Sequence, residues 1–333
     1  MNLLEKIHIS SFFRATKRHK THKKHKSKTL RLLMLGYKKI RKRYRSAKTR
    51  LYNALPKPIR HFIQKDWTSF VFRIAMRLSI TSVIGVFGLI IGFICIKGAS
   101  YITPSLFMWE YNSENVSMMP AIINTLSMVG LSLLIAVPFG VLGAIFLSEY
   151  NRKKSKIIAL IALASETLVG IPSIVYGLFG YLAFVIYLGF GLSFLAGCFT
   201  ISIMILPLIL RSAQEALDSV PISYREASFA LGAGKLRTIF AIILPTATPG
   251  ILAGVILGIG KIVGESAALL YTSGNIAKVA YPMESGRTLS VHMYEISREG
   301  LHINEAYATA MVLIGIVLVI NIASNYIAKR LVR

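Results

Sequence analysis

Four ionisable residues within or beside long apolar runs are the candidates for chemistry in this 333-residue chain: Glu166, Arg211, Lys261 and Glu265. A charge in such a run is costly in lipid, so these residues are candidates for a translocation path. Lys261 offers a cation to a passing anion, and Glu265 is four residues away, within reach on a helix. Glu265 could therefore hold Lys261 for an anion, or the two could form an ion pair that only fixes helix packing. Arg211 ends its run, so its side chain could simply extend to the membrane interface.

Two glycines accompany this charged pair. At 100° per residue, Gly254, Gly258, Lys261 and Glu265 share a stripe roughly 60° wide on one helix. Glycines let another helix approach closely. We therefore expect the stripe to face protein or a water-filled path and not lipid.

The chain lacks the usual signatures of catalysis and of nucleotide binding. It has no Gly-x4-Gly-Lys-Ser/Thr loop, which would cradle a nucleotide phosphate. We find no His/Cys cluster with metal spacing and no catalytic triad. The sequence thus predicts a chain that is not an enzyme and holds no cofactor of its own.

The segment 210–248 has the pattern of a short helix, a glycine and a second short helix. Ser223 and Glu226 have the spacing of a capping box, with the serine as N-cap. Gly232 is placed to end that helix in the left-handed conformation, and Pro245 is expected to stop the second helix. These features predict an elbow that projects from the membrane, although a plain connecting loop would also fit.

Composition and charge indicate the architecture that positions these residues. The chain is 54% hydrophobic with a mean hydropathy of +0.59, and only 16% of its residues are charged. Runs of about 20 apolar residues are long enough to span a bilayer. We predict an all-α membrane protein whose residues 67–333 form a six-helix transmembrane domain that includes the loop 210–248. The expected spans are 78–96, 122–146, 170–188, 192–209, 249–270 and 306–326, with a helix over 157–169 closed off by Pro172.

Basic residues predict the orientation. Residues 1–77 hold 23 of the 39 Lys and Arg, and most of the net charge of +25. Beyond that region, segments on the N-terminal side of the membrane hold 11 Lys/Arg against four on the other side. By the positive-inside rule both termini are cytoplasmic. The basic arm 1–66, partly disordered and partly amphipathic, is expected to lie on membrane lipid, and nucleic acid is not an expected partner.

The elbow carries a resemblance to a known family. Glu226-Ala227-Ser228, then Gly232, then Ile-Ile-Leu-Pro at 242–245 resembles the EAA loop of ABC-importer permeases, with the spacing intact and serine for the second alanine. The resemblance implies a MetI-like arrangement of six transmembrane helices. It also implies that Arg225, Glu226, Ala227, Ser228 and Gly232 couple the chain to a separate ATPase subunit, which binds ATP and Mg.

Three further stretches resemble phosphate-importer permeases of the PstA type: GIPSIVYGLFG at 170–180, GESAALL at 264–270 and AYATA at 306–310. This resemblance implies a location in the bacterial inner membrane and import of inorganic phosphate. It also implies a PstC-like second permease, a PstB-like ATPase dimer and an extracytoplasmic PstS-like phosphate-binding protein. Import of another oxyanion is an alternative. A membrane-anchored nucleic-acid-binding or regulatory protein that acts through the basic arm is another.

Overall fold

A computed structural model describes residues 67–150 and 156–331; the basic arm predicted at 1–66 lies outside the described residues. Within the described ranges all regular structure is helical. The chain divides into two compact units, Met1–Val86 and Phe87–Arg333, and the packing described below lies within the second. The helices are α1 (Trp67–Ala99), α2 (Met119–Glu149), α3 (Lys156–Val169), α4 (Ser173–Gly180), α5 (Phe194–Asp218), α6 (Ile222–Ala230), α7 (Lys235–Thr238), α8 (Leu244–Val263), α9 (Ala267–Thr272), α10 (Leu289–Glu299) and α11 (Ile303–Leu331).

Six spans are present if one bent pair counts as a span. Five helices of the described chain are long and apolar enough to cross a membrane, namely Ser69–Ala99, Met119–Glu149, Phe194–Asp218, Lys235–Val263 and Ile303–Ala328. The pair Leu163–Val169 and Ser173–Tyr187 bends by 101°. Pro172 lies at this bend, where its ring and missing N–H end the preceding helix. The predicted all-α architecture is confirmed, including the helix that leads into span three.

Small residues bring α8 against α5. A Cβ on Gly250 would lie 2.6 Å from the Ala216 Cβ, and one on Gly254 would overlap the Ser212 side chain. Gly258 faces Ile209 one turn further along. As the residue numbers increase along α8, the numbers of the α5 residues that they contact decrease, so the two helices are antiparallel. The predicted close approach at the glycine stripe is confirmed, and α5 is the helix that fills it.

Buried apolar side chains form three clusters along the bundle. The central cluster includes Met128, Ile201, Ile205, Ile259 and Leu269, which lie on α2, α5, α8 and α9. The second lies at the α6–α8 end and includes Ile145, Leu217, Ile239 and Ile243. The third joins the segment before α2 to α10 and the start of α11, and includes Leu106, Met118, Leu289 and Ile296. The second and third clusters lie at opposite ends of α2, which is roughly 45 Å long.

Two expectations about span five are wrong. Pro245 does not stop a helix, because one apolar span runs from Lys235 to Val263. In a regular α-helix the ring of Pro245 would clash with the backbone of the preceding turn. That turn, Ile239–Ile243, is a wider π-helix, so the helix continues past the proline. The expected end at residue 270 is also wrong, since α8 ends at Val263 and a separate short helix, α9, follows.

Candidate functional site: a helical elbow and a charged membrane face

The first helix of the elbow begins two residues earlier than predicted. Ser223 is not the N-cap: α6 starts at Ile222 after Pro221, and no side chain caps it. Pro221 has φ −55° and ψ 138°, and its carbonyl accepts the Tyr224 N–H at 3.1 Å. The proline ring fixes φ and so sets the helix start ahead of the serine.

Gly232 ends α6 as predicted. Its φ is +80°, in the left-handed region. Its N–H donates to the Phe229 carbonyl at 2.9 Å, and the Ala233 N–H reaches back to the Ser228 carbonyl at 3.1 Å. Glycine adopts this conformation without the steric cost that a Cβ brings. The elbow therefore has a defined shape and is not a plain connecting loop.

Arg225 joins the elbow to the end of α2. Its Nη2 lies 2.6 Å and its Nε 3.0 Å from Oε1 of Glu149, and both side chains are largely buried. Its Nη1 and Nη2 also donate to the carbonyls of Val220 and Leu217 at 2.8 and 3.1 Å. Charge-assisted hydrogen bonds of this kind are short and strong. Arg225 therefore faces its own chain, and α6 is tied to the last turns of α2 and α5.

The predicted coupling residues divide between two faces of α6. Ser228 is buried, and its hydroxyl lies 2.8 Å from that of Thr238, which ties α6 to α7. Glu226, Ala227 and Gly232 are exposed. These three lie on the part of the elbow that a partner protein can reach.

Sequence reasoning missed an exposed apolar surface on the same elbow. Leu231 is 89% exposed, Ile222 65% and Leu236 61%. Such a patch on a projecting element is typical of a protein–protein contact. A sequence signal was available, since Ile222 directly precedes the polar run of residues 223–226 and Leu236 lies between Lys235 and Arg237.

Two of the membrane candidates lie side by side. Nη1 of Arg211 on α5 is 3.0 Å from Oε1 of Glu166 on α3, and its Nε is 3.0 Å from Oε1 of Glu215. All three side chains are substantially exposed, at 46%, 62% and 68% respectively. Exposed charges within membrane spans avoid lipid. This charged face of α3 and α5 therefore meets water or another protein.

Lys261 and Glu265 do not pair. Because α8 ends at Val263, the four-residue helical spacing between them does not apply. Glu265 is buried, and its Oε1 accepts the Ala268 N–H at 3.0 Å, which caps α9. Lys261 is half-buried, and no ion pair or hydrogen bond of its ammonium occurs within the described ranges. The hypothesis of a structural ion pair is wrong, and so is the expectation that Glu265 holds Lys261 in place for an anion. The cation of Lys261 remains available to a ligand.

The match to known proteins covers both the elbow and these charged residues. Residues 136–333 match the family model described as the binding-protein-dependent transport system inner membrane component. The chain belongs to this family. The permease is 34% identical over 222 residues to the probable ABC transporter permease protein YqgI of Bacillus subtilis (strain 168), covering 61% of the chain and 75% of that relative. It is 42% identical over 154 residues to the phosphate transport system permease protein PstA 2 of Mycobacterium bovis (strain ATCC BAA-935 / AF2122/97). That match covers 46% of the chain and half the length of the relative.

The fold of the permease is also found among solved transporters. A crystal structure of a bacterial alginate ABC transporter, in complex with an alginate-bound periplasmic protein, contains a similar chain with a TM-score of 0.59. The likeness covers 81% of the permease and 97% of that chain at 18% identity, so it concerns the fold alone. The MetI-like ABC permease architecture is thus confirmed. Family membership implies an ATPase and a substrate-binding protein as partners. Among the described residues of the permease, no group of three His, Cys, Asp or Glu side chains could hold a metal ion.

Proposed function

We propose that this chain is the PstA-type permease subunit of an ATP-driven importer of inorganic phosphate. It lies in the bacterial inner membrane with both termini in the cytoplasm. The observation that carries the phosphate proposal is Lys261, a half-buried cation without a partner in the described part of a membrane span. Relatives named as phosphate permeases support the same substrate.

The elbow supplies the coupling to the ATPase in this proposal. Leu231, Ile222 and the exposed Glu226 bind a groove of the ATPase, and the ATPase holds ATP and Mg. The buried Arg225–Glu149 pair then transmits movement of α6 to α2. The chain itself is not catalytic. Its further partners are a PstC-like second permease, a PstB-like ATPase dimer and a PstS-like phosphate-binding protein.

The translocation path in this proposal runs along α5 and α8. Gly258 on α8 packs on Ile209 of α5. Lys261 lies about one turn further along α8, and Arg211 lies two residues further along α5. Because the two helices are antiparallel, Lys261 and Arg211 lie on opposite sides of this contact. Lys261 and Arg211 therefore lie at levels roughly 8 Å apart along the bundle. The ammonium of Lys261 binds the phosphate as a compact point charge. The Glu166–Arg211–Glu215 network keeps the cytoplasmic half of the path polar.

Phosphate uptake by a strain that lacks its own importer tests the substrate. Expression of this chain with its partner subunits should restore uptake of labelled phosphate, and excess unlabelled sulfate should not compete. Competition by sulfate would favour the alternative of another oxyanion. Deletion of residues 1–60 should leave uptake intact, whereas a protein that acts through its basic arm would lose its function.

Lys261 is tested by three variants compared at equal amounts of assembled complex. Lys261→Met should abolish uptake, because it removes the cation, and Lys261→Arg should retain it. Glu265→Gln is the matched control: its amide oxygen can still accept the Ala268 N–H, so uptake should stay near normal. Because Lys261 and Glu265 are not paired, Lys261→Met strands no carboxylate. Near-normal uptake by Lys261→Met would overturn this role.

A further inference from the structure

A buried polar cluster lies at the end of the bundle opposite to the elbow. It consists of Arg287, two residues before α10, and His292 in the first turn of α10, and Tyr111 from the segment before α2 contacts both. The elbow contacts the other end of α2 through Glu149. About 45 Å of helix therefore separates this cluster from the proposed ATPase contact.

Arg287 presents an unused pair of donors to the protein interior. The residue is 5% exposed, and its Nε and Nη2 have no hydrogen-bond partner within residues 67–150 and 156–331. These two nitrogens form one edge of the planar guanidinium, the fork that binds a carboxylate or phosphate with two parallel hydrogen bonds. The backbone of Arg287 is fixed, since its N–H donates to the Ile276 carbonyl at 3.0 Å and its carbonyl accepts from Asn124 at 3.1 Å.

His292 adds a second unsatisfied group. It is fully buried, and neither ring nitrogen forms a hydrogen bond of good geometry among the residues that the structure describes, although the Val116 backbone makes a weaker contact with the ring. Burial, and then the positive charge of Arg287, lower the pKa of His292 to about 3, and the smaller opposing effect of a hydrogen bond with the Val116 backbone does not offset them. The imidazole is therefore neutral and keeps one N–H donor. The Tyr111 ring lies 4.5 Å from the Arg287 guanidinium carbon and meets the His292 ring edge-to-face at 6.1 Å.

The charge of Arg287 has no counter-ion in the described chain. Glu295, the buried acid on α10, has its Oε2 3.6 Å from Nη2 of Arg298 instead. Glu110 and Glu114, near Tyr111 in sequence, are exposed and form no ion pair with Arg287. A buried cation without an anion is costly, and buried polar groups are normally satisfied. The first turn of α10, which carries His292, adds the positive end of a helix dipole.

We propose that the Arg287 fork and the His292 imidazole bind a small oxyanion beneath the Tyr111 ring. The anion neutralises the guanidinium and satisfies its two free donors, while Tyr111 closes the site toward the surface. Ser290, between the two residues, donates a hydrogen bond to the Glu265 carbonyl at 2.5 Å, so the site adjoins the segment that follows Lys261. The choice of phosphate as the oxyanion rests on the proposed function; the site itself does not.

Phosphate-dependent thermal stability of the purified permease–ATPase complex tests the site, in the absence of nucleotide and binding protein. In wild type, added phosphate should raise the unfolding temperature with saturation. Arg287→Met should unfold no earlier than wild type in phosphate-free buffer, because a buried unpaired charge is gone, and should lose the phosphate response. Arg298→Met removes the same charge from an exposed position of α10 and should keep the full response.

Arg287→Lys keeps the test decisive if Arg287→Met does not assemble. Lysine retains the charge without the fork, so the phosphate affinity should fall at least about tenfold. No phosphate response in wild type, or an unchanged response in Arg287→Lys, would overturn the proposal. Failure of the proposed function is a different result: labelled phosphate would not be taken up, although the Arg287-dependent response persisted.

Discussion

The buried ion pair between Arg225 and Glu149 allows a quantitative prediction about coupling. Glu149→Gln keeps the shape of the side chain and removes its charge. Breaking a buried ion pair costs about 3–5 kcal/mol, because the remaining charge is stranded. Arg225 retains two backbone carbonyl acceptors, and the glutamine oxygen can still accept from it. We therefore expect the free energy of unfolding to fall by about 2–3 kcal/mol.

Arg225→Met should cost more than Glu149→Gln. The carboxylate of Glu149 has no second partner in the described part of the chain, so this substitution leaves it unsatisfied. We expect a loss of about 3–5 kcal/mol. The double variant should lose less than the sum of the two, by about 1–3 kcal/mol, because neither charge is then stranded. Glu226→Gln on the exposed face of α6 is the stability control and should change unfolding by less than about 0.5 kcal/mol.

The functional assay is phosphate transported per ATP hydrolysed, in proteoliposomes that contain the complete transporter. If the pair transmits movement from the elbow to α2, Glu149→Gln should continue to hydrolyse ATP while the transport ratio falls. Arg225→Lys preserves the charge without the fork and should give an intermediate ratio. Unchanged unfolding and an unchanged transport ratio in both Glu149→Gln and Arg225→Met would refute the reasoning.

Two further predictions concern the elbow and the topology. Gly232→Ala should destabilise the elbow by about 1–2 kcal/mol, because φ is +80° there, and should weaken ATPase binding in a pull-down. Gly234→Ala, at φ −72° with open space around it, should leave binding unchanged; equal effects of the two would contradict the conformational argument. Reporter fusions at Lys235 and Glu284 should report cytoplasm and exterior respectively, and a cytoplasmic signal at Glu284 would exclude the six-span orientation.

The features that the sequence determined are local. Apolar runs long enough for a bilayer, the break at Pro172 and the left-handed Gly232 each depend on neighbouring residues alone, and each is confirmed. The small residues of α8 likewise marked a close helix contact without identifying the partner helix. These properties follow from backbone stereochemistry and hydrophobic length, which a short window of sequence contains.

The errors of sequence reasoning arose where helix ends were decided by competing local signals. Pro221 sets the start of α6 ahead of Ser223, and a π-helical turn lets the helix pass Pro245. The Lys261–Glu265 pair failed for the same reason: helical spacing was assumed beyond Val263, where α8 ends. A difference of a few residues at a helix end was enough to change the partner of a charge.

Only the tertiary structure decided which charges meet. Arg225 pairs with Glu149 across 76 residues of sequence, and Arg211 meets Glu166 on a different helix. The burial of Arg287 under Tyr111 depends on two segments on either side of the central helices. Such pairings depend on how distant helices pack, because packing fixes the distance and the solvent exposure that determine the strength of a charge interaction.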